Sequence, residues 1–454
     1  MHPLNKKVKF MKDSIDFGSM EIPKLFRKLL IPTVLGMVFS AVFVITDGIF
    51  VGQGIGSDAL AAVNITAPLF LISTGIGLMF GVGASVVASI HLSQGKLKTA
   101  RINVTQAVVV SSLFLAVLWG VVCLFAPQVA VWLGSSERLL PLAVEYMYWF
   151  LPFLVFSALL SSGMFFVRLD GSPNYAMLCN AIPAVVNILL DYVFIFILKW
   201  GMMGAALATS LGYILGAGMI VVYLSRRRNV IHFCRVKLSK KSMRLTWRNV
   251  KYMCHLGVST FLCEAAIACM MFAGNYVFMS HLGTDGVAAY SIVCYLFPII
   301  FMVFNAMVQS AQPIVSYNYG CGQLLRSNKA LRLCIISAVV FALVISGVFV
   351  CFSGDIVSLF LPDRTSHAWQ YAVAGLPLFA VDYIFFGINV ITIGYYTSIE
   401  RINLAMRLTL LRGILPVLFF FVLPAWLGVT GIWLAVAAGD ITTTILIVLC
   451  RKKV

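Results

Sequence analysis

LLIPTVLGMVFSAVFVITDGIFV, Leu29 to Val51, is an apolar run interrupted by one proline near its start and one aspartate near its end. At a rise of about 1.5 Å per residue, a helix of that length spans roughly 35 Å, enough to cross a hydrocarbon core of about 30 Å. Asp47 then lies within the membrane. A carboxylate at depth costs on the order of 2.5 to 3.5 kcal/mol to insert, so such a residue is read first as functional. Pro32, fifteen residues earlier, removes one backbone hydrogen bond and is a candidate hinge.

The rest of the chain has the same character. Of its 454 residues, 61% are hydrophobic and only 11% are charged. Soluble domains carry about 25% charged residues, and no soluble core buries this much apolar sequence. The expected fold class is an all-α polytopic membrane protein. Apolar runs centred near residues 40, 75, 113, 158, 186, 214, 266, 301, 340, 384, 413 and 440 mark twelve spans. Residues 1–28 hold seven Lys or Arg and no apolar region ahead of a cleavage site, so the first span is expected to be the targeting signal. Just before it, Ile22, Leu25, Phe26, Leu29 and Leu30 oppose Lys24, Arg27 and Lys28, an amphipathic lead-in expected on the membrane surface.

The net charge of +17 is unevenly placed: alternate connections and both termini hold 29 Lys or Arg, the intervening ones 3, and Arg412 lies within a span. That split makes the first set cytoplasmic, both termini included. The charge is a topology signal and a contact with anionic membrane lipid, with no nucleic-acid partner required.

The longest hydrophilic connection, Ser225 to Lys251, carries ten of these bases and divides the chain. An offset of 227 lays GSDALAAVNI (from Gly56) on GTDGVAAYSI (from Gly283), GMMGAALATSLGYI (from Gly201) on GVTGIWLAVAAGDI (from Gly428), and Gly95 on Gly322. These matches indicate an internal repeat of six spans, giving two lobes of the same orientation related by a pseudo-two-fold axis along the membrane normal, with a cavity between them. The expected domains are 1–28, basic and cytoplasmic with its lead-in; 29–224, the N-lobe; 225–249, a basic cytoplasmic linker; 250–450, the C-lobe; and 451–454, a basic cytoplasmic tail.

Eleven cysteines without a C-x-x-C pair read as packing residues, six scattered histidines form no metal-like spacing, and neither a Walker loop nor a dinucleotide fingerprint is present. An enzyme is not expected, nor any cofactor. The acidic residues are the informative set. Asp47, Asp191, Glu264, Asp382 and Asp440 fall inside spans. By helix rise, Asp47, Asp191 and Thr209 share a depth of roughly 6 to 9 Å below the outer face, and Asn187 stands one turn from Asp191. Two carboxylates, an amide and a hydroxyl can hold a hard cation such as Na⁺, or the carboxylates can share a proton. The alternative is that Asn187 and Thr209 merely satisfy one another or the backbone.

At the same offset the second half has Ile414 and Leu418 in place of Asn187 and Asp191. Its own acids, Glu264, Asp382 and Asp440, fall near mid-span and are candidates for a cationic substrate or a second proton. A structural pairing with Arg412 or local amides is the other reading.

The stretches IPTVLGMVFSAVFVITDGIFVGQGIG, RLDGSPNYAM, NILLDYVFIF, GMMGAALAT and PIVSYNYG together resemble a multidrug and toxic compound extrusion (MATE) transporter, closest to the DinF-type branch. The resemblance covers the chain from Ile22 onward, and the Pro32 to Asp47 spacing, the Asn187 and Asp191 pair and Thr209 match the family's N-lobe cation site. It implies twelve helices in two V-shaped lobes of a bacterial-type inner membrane protein, with efflux of amphiphilic organic cations and other drugs driven by H⁺ or Na⁺ entry. It also implies that Pro32 is a hinge. Glu264 and Asp382 stand about one turn earlier than the acids of the NorM-type branch, which favours a chiefly N-lobe coupling site. A monomer is expected. The main competing reading is a flippase for lipid-linked saccharides, which needs a cationic cavity; the deep charges here are mostly acidic.

Overall fold

Long apolar runs fold as helices in lipid, because only a backbone that satisfies its own hydrogen bonds is tolerated there. The computed structural model describes residues 15–133, 135–236, 239–361 and 363–451. The basic residues before 15 and the tail from 452 lie outside these. In the first half the helices are α1 (Ile22–Gly54), α2 (Ser57–Ser93), α3 (Leu97–Leu124), α4 (Ala126–Trp132), α5 (Leu140–Phe150), α6 (Leu154–Leu169), α7 (Pro173–Asp191) and α8 (Gly201–Ser225). The second half has α9 (Lys240–Gly320), α10 (Leu324–Cys351), α11 (Ser353–Phe360), α12 (His367–Ala380), α13 (Asp382–Ser398), α14 (Ile402–Val422) and α15 (Pro424–Arg451). Among the described residues, eleven stretches are each long and apolar enough to cross a membrane, and α12 with α13, bent by 41°, form one more. Helix α9 supplies two of them, because Gly283 adopts φ 63° and ψ −153° and breaks it.

The repeat is visible in the backbone itself. Gly56 and Gly283 (φ 129° and 63°), Gly95 and Gly322 (both 74°) and Gly201 and Gly428 (56° and 58°) are all left-handed. An L side chain there costs about 1–2 kcal/mol, which is why glycine stands at both members of each pair. A fourth pair, Gly171 (81°) and Glu400 (59°), has an offset of 229 in place of 227. From this pair to the next, Gly171 to Gly201 and Glu400 to Gly428, the second copy is therefore shorter than the first by two positions. A π turn at Tyr192–Ile197, directly after Asp191, lies in the longer copy. That geometry takes up an inserted residue without ending the helix.

The chain forms two compact units. The first runs to Thr260 and takes in Ser316–Gln323; the second comprises Phe261–Val315 and the chain from Leu324 on. The division thus falls inside α9, and the stem of that helix, up to Thr260, packs in the first unit. In the first unit α1 lies along α7, α2 against α3 and α6, and α8 against α5, α6 and α7. The stem crosses α2 at two glycines: a Cβ on Gly83 would strike the Met253 carbonyl, and one on Gly257 the Met79 carbonyl. In the second unit α14 packs on α15, and α13 on α10 and α15.

One expectation is corrected. The lead-in is not a separate surface helix: it is the first turns of α1, and Ile22, Leu25, Phe26 and Leu29 are buried within the protein. The apolar face that was expected to meet lipid is covered by protein. As a result Pro32 lies ten residues inside a continuous 33-residue helix, well past the first turn.

Candidate functional site

In the first unit, α1, α7 and α8 bring Asp47, Asp191 and Thr209 together. The Thr209 hydroxyl stands 3.1 Å from Asp47 Oδ1 and 3.1 Å from the Ala205 carbonyl, so its single proton serves one of the two at a time. Asp191 and Asn187 are fully buried, while Asp47 is partly exposed in front of them. The Asp191 carboxylate lies beside that of Asp47 and within electrostatic reach of the Asn187 amide. Neither of its oxygens accepts a hydrogen bond from a protein donor, and the Asn187 amide makes none either. Two carboxylates therefore lie side by side, the buried one without a hydrogen bond, an arrangement that favours a shared proton or a bound cation.

Two residues of this site carried no sequence expectation. The Tyr146 hydroxyl on α5 lies beside Thr209 and within reach of both aspartates, and Tyr213 on α8 lies near Asp47. Tyr213 follows Thr209 by four residues and so shares its face, a signal that was legible. Tyr146 offers none, since its orientation depends on how α5 packs. Tyr213 also meets Phe43 and Phe70, each with ring centroids 5.7 Å away, which places an aromatic wall next to the carboxylates.

The second unit does not repeat this site at the matching positions. The counterpart of Asp47 is Gly274, where any Cβ would collide with the Tyr290 ring and hydroxyl. With the offset of 229 set by Gly171 and Glu400, the counterparts of Asn187 and Asp191 are Pro416 and Phe420; Thr209 matches Val436. All are apolar.

Its own polar centre is built differently. Asp382 opens α13 just after the bend, and the Ala380 carbonyl freed there accepts the Ser346 hydroxyl at 2.7 Å. Both Asp382 and Asp440 are buried and adjacent. Arg412 Nε stands 3.3 Å from Asp440 Oδ1, an ion pair without hydrogen-bond alignment. Asn389 donates to both the carbonyl (2.9 Å) and Oδ1 (2.8 Å) of Asp440, and in turn accepts the Thr444 hydroxyl at 2.8 Å. The Arg412 guanidinium also donates to Cys263 Sγ at 3.1 Å and lies over the Phe386 ring, 4.1 Å from its centroid. Glu264, half-buried on span seven, faces the same guanidinium from beyond ion-pair distance. Asp440 is thus held by Arg412 and Asn389, whereas neither Asp382 oxygen accepts a protein hydrogen bond.

Fold and sequence together define an all-helical membrane protein of two repeated six-span units. The MatE family model matches residues 32–193 and 262–422, and the chain belongs to that family. It is similar to an FAD transporter of Shewanella oneidensis (25% identity over 438 residues, covering 94% of this chain and 93% of that protein). It is also similar to the multidrug export protein MepA of Staphylococcus aureus (24% over 421 residues, covering 92% and 90%). Among solved structures, the Vibrio cholerae MATE transporter VcmN superposes with a TM-score of 0.87 at 19% identity, covering 95% and 96% of the two chains.

Proposed function

We propose that this protein is a secondary active efflux transporter, an antiporter that exports amphiphilic organic cations and related drugs in exchange for H⁺ or Na⁺ by alternating access. The observation that carries this reading is the buried Asp191 carboxylate, which accepts no hydrogen bond, set beside the carboxylate of Asp47. A hard cation or a proton is the ligand such an oxygen pair lacks, and Thr209 and Asn187 supply further oxygens. The aromatic wall of Phe43, Phe70 and Tyr213 suits the flat, cationic ring systems of many drugs. The export of drugs by MepA supports the same class of substrate. We take the protein to be a monomer of the bacterial inner membrane, in contact with its lipids and with both termini cytoplasmic.

The other reading, export of an anionic amphiphile such as a lipid-linked saccharide or a flavin dinucleotide, needs a free buried cation. The deep Arg412 is instead committed to Asp440 and Phe386. The purified protein, reconstituted in vesicles, is expected to accumulate a fluorescent organic cation under a pH gradient alone or a Na⁺ gradient alone. FAD transport in the same vesicles, with no cation uptake under either gradient, would overturn the proposal.

Pro32 is proposed as the hinge that couples this site to substrate. Its missing backbone bond lies inside α1, and about 22 Å of unbroken helix separates it from Asp47, so a small change of bend displaces Asp47 by several ångströms. Pro32→Ala is expected to slow transport severalfold while equilibrium substrate binding stays near that of the unaltered protein. Unchanged transport rates at equal abundance would remove the hinge from the mechanism.

A further inference from the structure

The stem of α9 has a role beyond joining two units. Lys240–Gly283 comprises 44 residues, roughly 66 Å of helix, about twice the thickness of a hydrocarbon core. Its first turns must therefore emerge into the headgroup layer and beyond. One face of these turns is committed to protein. Gln106 Nε2 on α3 donates to Thr246 Oγ1 at 2.8 Å, Asn249 Nδ2 donates to Gln106 Oε1 at 3.2 Å, and Val250 and Met253 are buried.

The opposite face carries Lys240, Lys241, Arg244, Arg248 and Lys251, all exposed. Between them stand Met243 and Trp247, 62% and 71% exposed. No ion pair among the described residues engages these bases. The sequence from Ser225 to Cys263 contains no Asp or Glu that could neutralise them. By helix phase, Met243 and Trp247 border the basic strip on the side toward Val250. Where a membrane-crossing helix leaves the hydrocarbon core, bases meet headgroup phosphates and a tryptophan sits at the interface.

We propose that this face of the α9 stem, from Lys240 to Tyr252, is a binding surface for the headgroups of anionic phospholipids. Each base near an anionic bilayer contributes attraction within a Debye length, and the fixed spacing along one helix lets several act together. Because Gln106 ties the stem to α3 and the reciprocal glycines tie it to α2, a lipid held there restrains the start of span seven within the first unit. The inference rests on the chain spanning a membrane and not on what it transports.

Hydrogen–deuterium exchange of the full chain in nanodiscs, without substrate or gradient, tests it. Exchange over residues 240–252 is expected to be at least about threefold slower in discs containing phosphatidylglycerol than in discs of phosphatidylcholine alone, and about 0.5 M salt should erase the difference. The triple variant R244Q/R248Q/K251Q should lose the lipid dependence while the α2 segment exchanges as before, which shows that the fold is intact. Equal exchange in the two lipids, or a phosphatidylglycerol effect that survives in the triple variant, overturns the proposal. Millimolar inorganic phosphate in phosphatidylcholine discs should give no protection; protection matching that of the lipid would reassign the face to soluble anions and equally overturn it.

Discussion

Asp191→Asn and Asp47→Asn are each expected to yield a folded, membrane-inserted protein that exports no substrate under a gradient. The amide nearly preserves the shape of the carboxylate but removes the charge that must bind and release the ion. Asp191 is fully buried and makes no protein hydrogen bond, so the exchange discards no packing and no fixed partner. At Asp47 the amide oxygen can still accept from the Thr209 hydroxyl. Thr209→Val removes only one neutral ligand and should weaken cation affinity by on the order of 1 to 2 kcal/mol, about tenfold. Efflux in vesicles, normalised to protein abundance and to size-exclusion profile, measures both. Full transport by either Asn variant would show that coupling resides elsewhere.

Arg412→Leu should have the largest effect on stability. It leaves Asp440 buried without its counter-ion and beside a second carboxylate, Asp382. Breaking a buried ion pair from one side costs about 3–5 kcal/mol. The folded yield and the thermal unfolding midpoint in detergent should both fall sharply. Adding Asp440→Asn to the same protein removes the stranded charge, and the new amide can still accept from Asn389, so much of the loss should be recovered. An unchanged midpoint in the single variant would mean that water or relaxation already screens Asp440.

Much of the site is legible in the sequence. Carboxylates within apolar runs stand out, and helix rise alone puts Asp47, Asp191 and Thr209 at one depth, where the structure brings them together. The repeat is legible because left-handed positions demand glycine, so Gly56, Gly95 and Gly201 reappear as Gly283, Gly322 and Gly428. The features that escape are those that depend on contact. Tyr146 is one aromatic residue in an aromatic helix, and only the rotation of α5 aims it at Thr209. The grip of Asn389 and Thr444 on Asp440 joins spans that are distant in sequence. The apolar turns before Leu29 carry the correct amphipathic pattern, but a pattern does not say whether lipid or protein will cover it.

The π turn after Asp191 gives the difference between the two copies a second origin, one of phase. Each residue added to a helix rotates the residues beyond it by about 100°, so the two sides of that turn are rotated against one another compared with an uninterrupted helix. In the first copy the strip of α7 that carries Asn187 and Asp191 is thereby aimed independently of the next connection, at Gly201. The shorter second copy has its interruption at Leu423, between α14 and α15, and no π turn is described there. Writing Asn and Asp into α14 would therefore supply the side chains of the first site within a stretch two residues shorter.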